Sequence, residues 1–137
     1  MNAVDPVFGT RFGVGTGRWP EVPGRAGGAV DLSQVPAPSA KAREFVYVSD
    51  LPEGWCGLER RATGERIIFS FPLRVFPYCW LFLTYGGWRD YYTAVLEPCT
   101  NMPKDLDQAK AVGRCAVLEA GATLECQVSV AIRPANV

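Results

Sequence analysis

The chain contains no histidine. That rules out, within this chain, a Ser-His-Asp triad, a histidine-activated cysteine hydrolase and any imidazole-ligated metal centre. Nor is there an excess of either charge: 14 Lys and Arg balance 14 Asp and Glu. A neutral chain has no electrostatic footprint for nucleic acid or for an anionic membrane surface. No apolar run approaches the roughly 18 residues that a transmembrane helix needs. Met1 to Gly9 has no basic stretch followed by an apolar one, so no signal peptide is expected. C-x-x-C is missing too. The five cysteines, Cys56, Cys79, Cys99, Cys115 and Cys126, are scattered and odd in number, and the nearest two, Cys115 and Cys126, are 11 positions apart. That spacing suits free thiols in a reducing cytoplasm better than a metal site or a disulfide framework. The glycine-rich stretch Gly9 to Gly17 precedes no helix, so a phosphate cradle is not supported. Neither a metal nor a cofactor is expected.

What remains is a β-forming composition. With 137 residues, 48% of them apolar and 20% charged, the chain fits one soluble domain able to bury about 68–70% of its unfolded surface. Residues 13–44 are rich in glycine and proline and poor in large apolar side chains, which predicts a long loop or extended arm. Phe45-Val46-Tyr47-Val48 is β-branched and aromatic. Asp50-Leu51-Pro52-Glu53-Gly54 is a turn, and Trp55 to Arg60 the returning strand. Arg66 to Phe71 alternates, with Ile67, Phe69 and Phe71 on one face. Cys79 to Tyr85 is apolar on both faces, as an inner strand should be. Tyr91 to Leu96 follows the Gly86-Gly87 turn. Arg114 to Leu118 and Thr123 to Ile132 read as further strands, the latter with Leu124, Cys126, Val128, Val130 and Ile132 facing one way. One short helix is expected within Pro103 to Gly113, with Gly113 as its stop. The fold class is therefore all-β, an antiparallel sandwich or barrel.

Val95-Leu96-Glu97-Pro98-Cys99-Thr100-Asn101-Met102-Pro103 carries the clearest functional signal. Pro98 has no N–H and is expected to end ladder pairing, which leaves Glu97 where a strand gives way to a loop. Taken by spacing alone, Glu97 is a solvated strand-end carboxylate. The segment Leu96 to Pro103 resembles the C-terminal signature of the aldose 1-epimerase (galactose mutarotase-like) family, in which an apolar strand carries a catalytic glutamate into a loop rich in Asn, Thr and Pro. Phe76-Pro77-Tyr78-Cys79-Trp80 with Tyr85-Gly86-Gly87 is similar to the aromatic strand and glycine turn before that glutamate. Leu118-Glu119-Ala120-Gly121-Ala122 resembles the turn into the last strand. The likeness runs over residues 44–133 and extends towards Asp5.

The resemblance implies a β-sandwich like the C-terminal half of a mutarotase supersandwich, a single domain over residues 1–137. Family members are longer, so the chain is either a piece of one or a half-length member. Open strand edges would then favour homo-oligomers. The implied activity is interconversion of hexose anomers. Glu97 matches the base that takes the anomeric proton, and Trp80 and Tyr85 match the sugar cleft. Arg89, on the loop after Gly86-Gly87, is a candidate donor to a sugar hydroxyl or phosphate. The family's acid is a histidine; Asp5 stands in its place in Asp5-Pro6-Val7-Phe8-Gly9, and a carboxyl there would need burial or a nearby like charge to act as an acid. The expected partner is a small-molecule sugar. The alternative, from another class, is a non-catalytic carbohydrate-binding or sensing module; for the aromatics as a set, simple core packing is the competing reading.

Overall fold

Strand propensity and period-two burial account for most of the chain. The structure, a computed structural model, describes residues 2–134. Its strands are β1 (Ala3–Gly9), β2 (Gly17–Arg18), β3 (Glu21–Pro23), β4 (Ala29–Asp31), β5 (Ala42–Ser49), β6 (Trp55–Arg60), β7 (Glu65–Ser70), β8 (Tyr78–Tyr85), β9 (Tyr92–Cys99) and β10 (Ser129–Arg133), with one helix, α1 (Leu106–Ala111). Seven strands form an antiparallel sheet in the order β4-β3-β2-β1-β5-β8-β9, and three form a second in the order β10-β7-β6. The all-β, sandwich-like architecture expected from the sequence is thus the observed one.

The two faces of the large sheet bury different side chains, because successive residues of a strand point opposite ways. One face carries Val4, Val46, Val48, Cys79, Leu81, Leu83 and Tyr85 and is packed by Phe12, Val22 and Leu32. Each such aliphatic or aromatic side chain contributes about 1.5–3 kcal/mol when taken fully out of water. This face meets the small sheet across an apolar cavity of about 570 Å³, lined by Leu81, Leu83 and Leu96 on one side and Cys56, Leu58 and Ile67 on the other. The opposite face carries Phe45, Tyr47, Trp80 and Phe82, with Met102 and Val7 against them.

Several segments differ from their sequence reading. Residues 13–44 are not an irregular arm: they hold β2, β3, β4 and a short 3-10 turn at Pro38–Ala40. Val22 and Leu32 are few among the glycines and prolines, yet both are buried, which is enough to pin these short strands to the large sheet. Asp5 lies within the large sheet: β1 sits between β2 and β5, and a register shift between Pro6 and Phe8 accommodates the proline. Pro98 does not end the ladder. It pairs with Cys79 inside β9, the last strand of the sheet, where a missing N–H is tolerated. Arg114 to Leu118 forms only an isolated bridge, Asn101 to Cys115. Of the strand expected over Thr123 to Ile132, only the end is built, as β10 against β7; residues 123–128 have no ladder partner among the described residues. Alternation marks a segment fit for a sheet, but a strand needs a neighbour. The helix lies where expected. Asp105 caps it by accepting from the Gln108 N–H at 2.9 Å, Ala109 is its buried contact, and Gly113 follows at φ 69°.

Candidate functional site

Cross-strand register assembles the site. Asp5 pairs with Tyr47, Tyr47 with Trp80, and Trp80 with Glu97, so the four side chains form one row on one face across β1, β5, β8 and β9. The next row is Phe8, Phe45, Phe82 and Val95. The rings touch. Tyr47 and Trp80 centroids lie 5.4 Å apart, Phe45 and Trp80 5.9 Å, Phe45 and Phe82 6.2 Å, and Phe8 and Phe45 5.9 Å. Beyond Phe82 the floor continues to Trp88, at 6.0 Å in an edge-on arrangement. The result is a strip of tilted aromatic rings, each pair adding about 0.5–1.5 kcal/mol beyond its burial.

The segment after β9 fastens one end of this strip. Trp80 Nε1–H donates to the Asn101 carbonyl at 3.0 Å, and Asn101 Nδ2 donates to the Pro103 carbonyl at 2.8 Å. The Lys104 N–H donates to the Tyr47 hydroxyl at 2.9 Å, and Met102 packs with Tyr47 and Phe45. Burial lifts the Tyr47 hydroxyl above its ordinary value, against the opposing effect of the Lys104 bond. Trp80, its N–H satisfied, has only ring surface left for a ligand. Glu97 is exposed beside it, and no donor among the described residues holds its carboxylate.

The sequence-derived candidates fall into three places. Glu97 and Trp80 are direct cross-strand neighbours. Asp5 lies in the same row but three strand spacings away, about 14 Å of backbone, with Tyr47 and its covering Met102 intervening. Its carboxylate accepts from the Thr16 hydroxyl at 3.0 Å. An acid and a base acting on one hemiacetal must each come within about 2.6–3.2 Å of the reacting atoms, and this separation does not bring Asp5 to the atoms that Glu97 reaches. Tyr85 is on the other face. It is 1% exposed, part of the main core, with the Arg11 guanidinium 5.9 Å from its ring. Burial, with the Glu44 charge, pushes its hydroxyl up to about 12. Arg89 is on the loop after β8, at φ 50°, with its guanidinium 5.5 Å from the Trp88 ring.

Sequence reasoning passed over Phe45, Tyr47, Phe8 and Arg43, which complete the strip. Period two within Phe45-Val46-Tyr47 was the available signal, but only the register between strands reveals which ring neighbours which. A second polar group was equally hidden. Glu44, wholly buried, receives Arg11 Nε–H at 2.6 Å and Nη2–H at 2.7 Å. Both carboxylate oxygens are engaged, so this pair serves the core and not a ligand. All five cysteines are free thiols. Cys99 is pushed up to about 11 by burial and then by the Glu97 charge, so it is a poor nucleophile. Among the described residues no cluster of three metal-ligating side chains occurs, and no helix is long and apolar enough to cross a membrane. The chain matches no family model, no curated protein and no solved structure.

Proposed function

We propose that the chain is an aldose 1-epimerase-like, carbohydrate-binding protein that takes a hexose on the aromatic strip and uses Glu97 as the base on its anomeric hydroxyl. The observation that carries this reading is the cross-strand pairing of Glu97 with Trp80 at the open end of the strip. Sugar rings present C–H faces that pack on aromatic rings, while a carboxylate accepts strongly from sugar hydroxyls. A free carboxylate beside a ring with no N–H to offer supplies both halves of that recognition. In the proposed reaction Glu97 removes the anomeric proton, the C1–O5 bond opens to the aldehyde, and the chain recloses on the other face of C1. Opening also needs a proton delivered to the ring oxygen; after the aldehyde rotates, reclosure takes that proton back from the hydroxyl while Glu97 returns its own to the carbonyl oxygen. This chain has no histidine to deliver the ring-oxygen proton, and Asp5 is displaced along the row, so that proton comes from solvent and turnover is slow.

A second reading is favoured by that same missing acid: a non-catalytic sugar-binding module that keeps the carboxylate and the rings. Calorimetric titration with D-glucose and D-galactose tests what the two readings share. Saturable binding weakened by Glu97→Gln supports them. Titrations in which neither sugar binds the parent protein remove both.

A further inference from the structure

A cysteine joins the small sheet to the main core. Of the partly buried apolar side chains packed against that core, Cys56 is the one that comes from β6, β7 or β10. Its contact there is Cys79 of β8, and both line the cavity between the sheets. The Cys79 S–H donates to the Cys56 sulfur. The Trp80 carbonyl, 4.0 Å from Cys79 Sγ, is the weaker acceptor. This bond makes the two thiols unequal. It lowers Cys56 below the ordinary thiol value, against the opposing effect of burial, and it raises Cys79, with burial adding to the rise. Cys79 is 4% exposed, whereas Cys56 is half-buried. A reachable sulfur that loses its proton readily, beside a buried one that keeps it, is the arrangement of an attacking and a resolving thiol. Cys99 does not compete. It pairs with Tyr78, one position before Cys79, and so lies on the other face of the sheet.

We propose that Cys56 and Cys79 are a redox pair that a hydroperoxide closes into a disulfide, stapling β6 of the small sheet to β8 of the large one. The five thiols are free here, so the structure is the reduced state. In the first step the Cys56 thiolate attacks one oxygen of the peroxide. The O–O bond breaks, Cys56 becomes a sulfenic acid, and the departing hydroxide takes up the Cys56 proton as water. In the second step the Cys79 sulfur attacks the Cys56 sulfur. The S–O bond breaks, and the hydroxyl leaves with the Cys79 proton as a second water. Two thiols lose two electrons and one peroxide gains them. A peroxide is small enough to enter the cavity that both sulfurs line. The sulfurs are already in hydrogen-bond contact, so closure needs side-chain rotation and a small approach of the sheets, for which the cavity leaves room. Cys79 is on the face of β8 opposite Trp80, so the bridge leaves the aromatic strip unobstructed. Its effect is on the junction of the two sheets, which it makes covalent.

The test treats the full reduced chain with one equivalent of hydrogen peroxide and blocks the remaining thiols with N-ethylmaleimide. Tryptic peptides are then read by mass spectrometry without reduction. Two of the five thiols should be lost, and the fragment 44–60 should be found joined to 75–89 in a protein that stays monomeric by mass. Closing the loop between residues 56 and 79 restricts the unfolded chain, so Tm should rise by about 10 °C and return on adding dithiothreitol. Cys56→Ala should abolish both the link and the rise. Cys79→Ala should leave a sulfenic acid on Cys56 that dimedone captures. Cys79 is a core side chain; if its variant does not fold, the linked peptide and the Tm of the parent protein decide the matter. A chain that keeps all its thiols, a link through any other pair of cysteines, a link between two copies, or a Cys56–Cys79 link with no rise in Tm overturns the inference.

Discussion

Replacing Arg11 by Met should be among the most destabilising changes available to the large sheet. Glu44 is fully buried and Arg11 only 25% exposed, and the two are joined by two charge-assisted bonds of 2.6 and 2.7 Å. Removing one partner of a buried pair leaves an uncompensated charge, at a cost of about 3–5 kcal/mol. Water reaching the partly exposed Arg11 side lowers the expectation to the bottom of that range, about 3 kcal/mol. For a domain of this size that is a fall of about 10 °C in Tm. The effect should depend on pH in a definite direction. In the parent protein the Glu44 hydrogen bond raises Arg11 above the ordinary guanidinium value. Its stabilisation is therefore fully present below that value and lost only above it, so Arg11 contributes no pH dependence near neutrality. In Arg11→Met the buried carboxylate has no partner and favours its neutral form. The folded state then binds a proton that the unfolded chain does not, so the variant loses stability as pH rises from 5 to 8. Urea denaturation followed by tryptophan fluorescence at both pH values measures this. Arg11→Met with Glu44→Leu should recover most of the loss, since a buried pair exchanged for apolar side chains is often neutral. A cost below about 1 kcal/mol, or one equal at pH 5 and pH 8, would refute the reasoning by showing that Glu44 is solvated without its partner.

Two further outcomes follow from the thiols and phenols. Tyr85, pushed up to about 12 from an ordinary 10.0 mainly by burial, keeps its proton in the folded state at pH values where the unfolded chain has lost it; stability should therefore fall between pH 10 and 12, and Tyr85→Phe should flatten that fall in denaturation curves, whereas an unchanged slope would count against it. Iodoacetamide labelling at pH 8.5, read by peptide mass spectrometry, should modify exposed Cys126 first and buried Cys79 last, and Glu97→Gln should speed Cys99 modestly because the Glu97 charge is the lesser of the two causes raising it; labelling of Cys79 ahead of Cys126 would contradict the packing described.

How much could be read beforehand depended on whether a feature is local. β6 was bounded by its turns, and α1 by Asp105 and Gly113, so both were legible to within a residue or two. The alternation in β8 placed Trp80 and Phe82 on one face and Leu81, Leu83 and Tyr85 on the other, as observed. The resemblance nonetheless groups Tyr85 with Trp80 in a sugar cleft, against that same parity. β1 is not legible in the sequence, because Pro6 argues against an inner strand and only a bulge reconciles the two. Residues 123–128 show the converse: a strong pattern, with Leu124 and Val128 exposed, and no ladder among the described residues, because pairing depends on what else is there to pair with. The row joining Asp5 to Glu97 is a product of three registers and could not have been read from any one segment.

The central claim is that Glu97 acts on the anomeric hydroxyl of a sugar seated against Trp80, and polarimetry of freshly dissolved α-D-glucose and α-D-galactose tests it most directly. The account predicts an acceleration over buffer that is weak, because losing a positioned general acid typically removes about 10²–10⁴-fold in rate, and that Glu97→Gln abolishes. An acceleration that Glu97→Gln leaves untouched would contradict it.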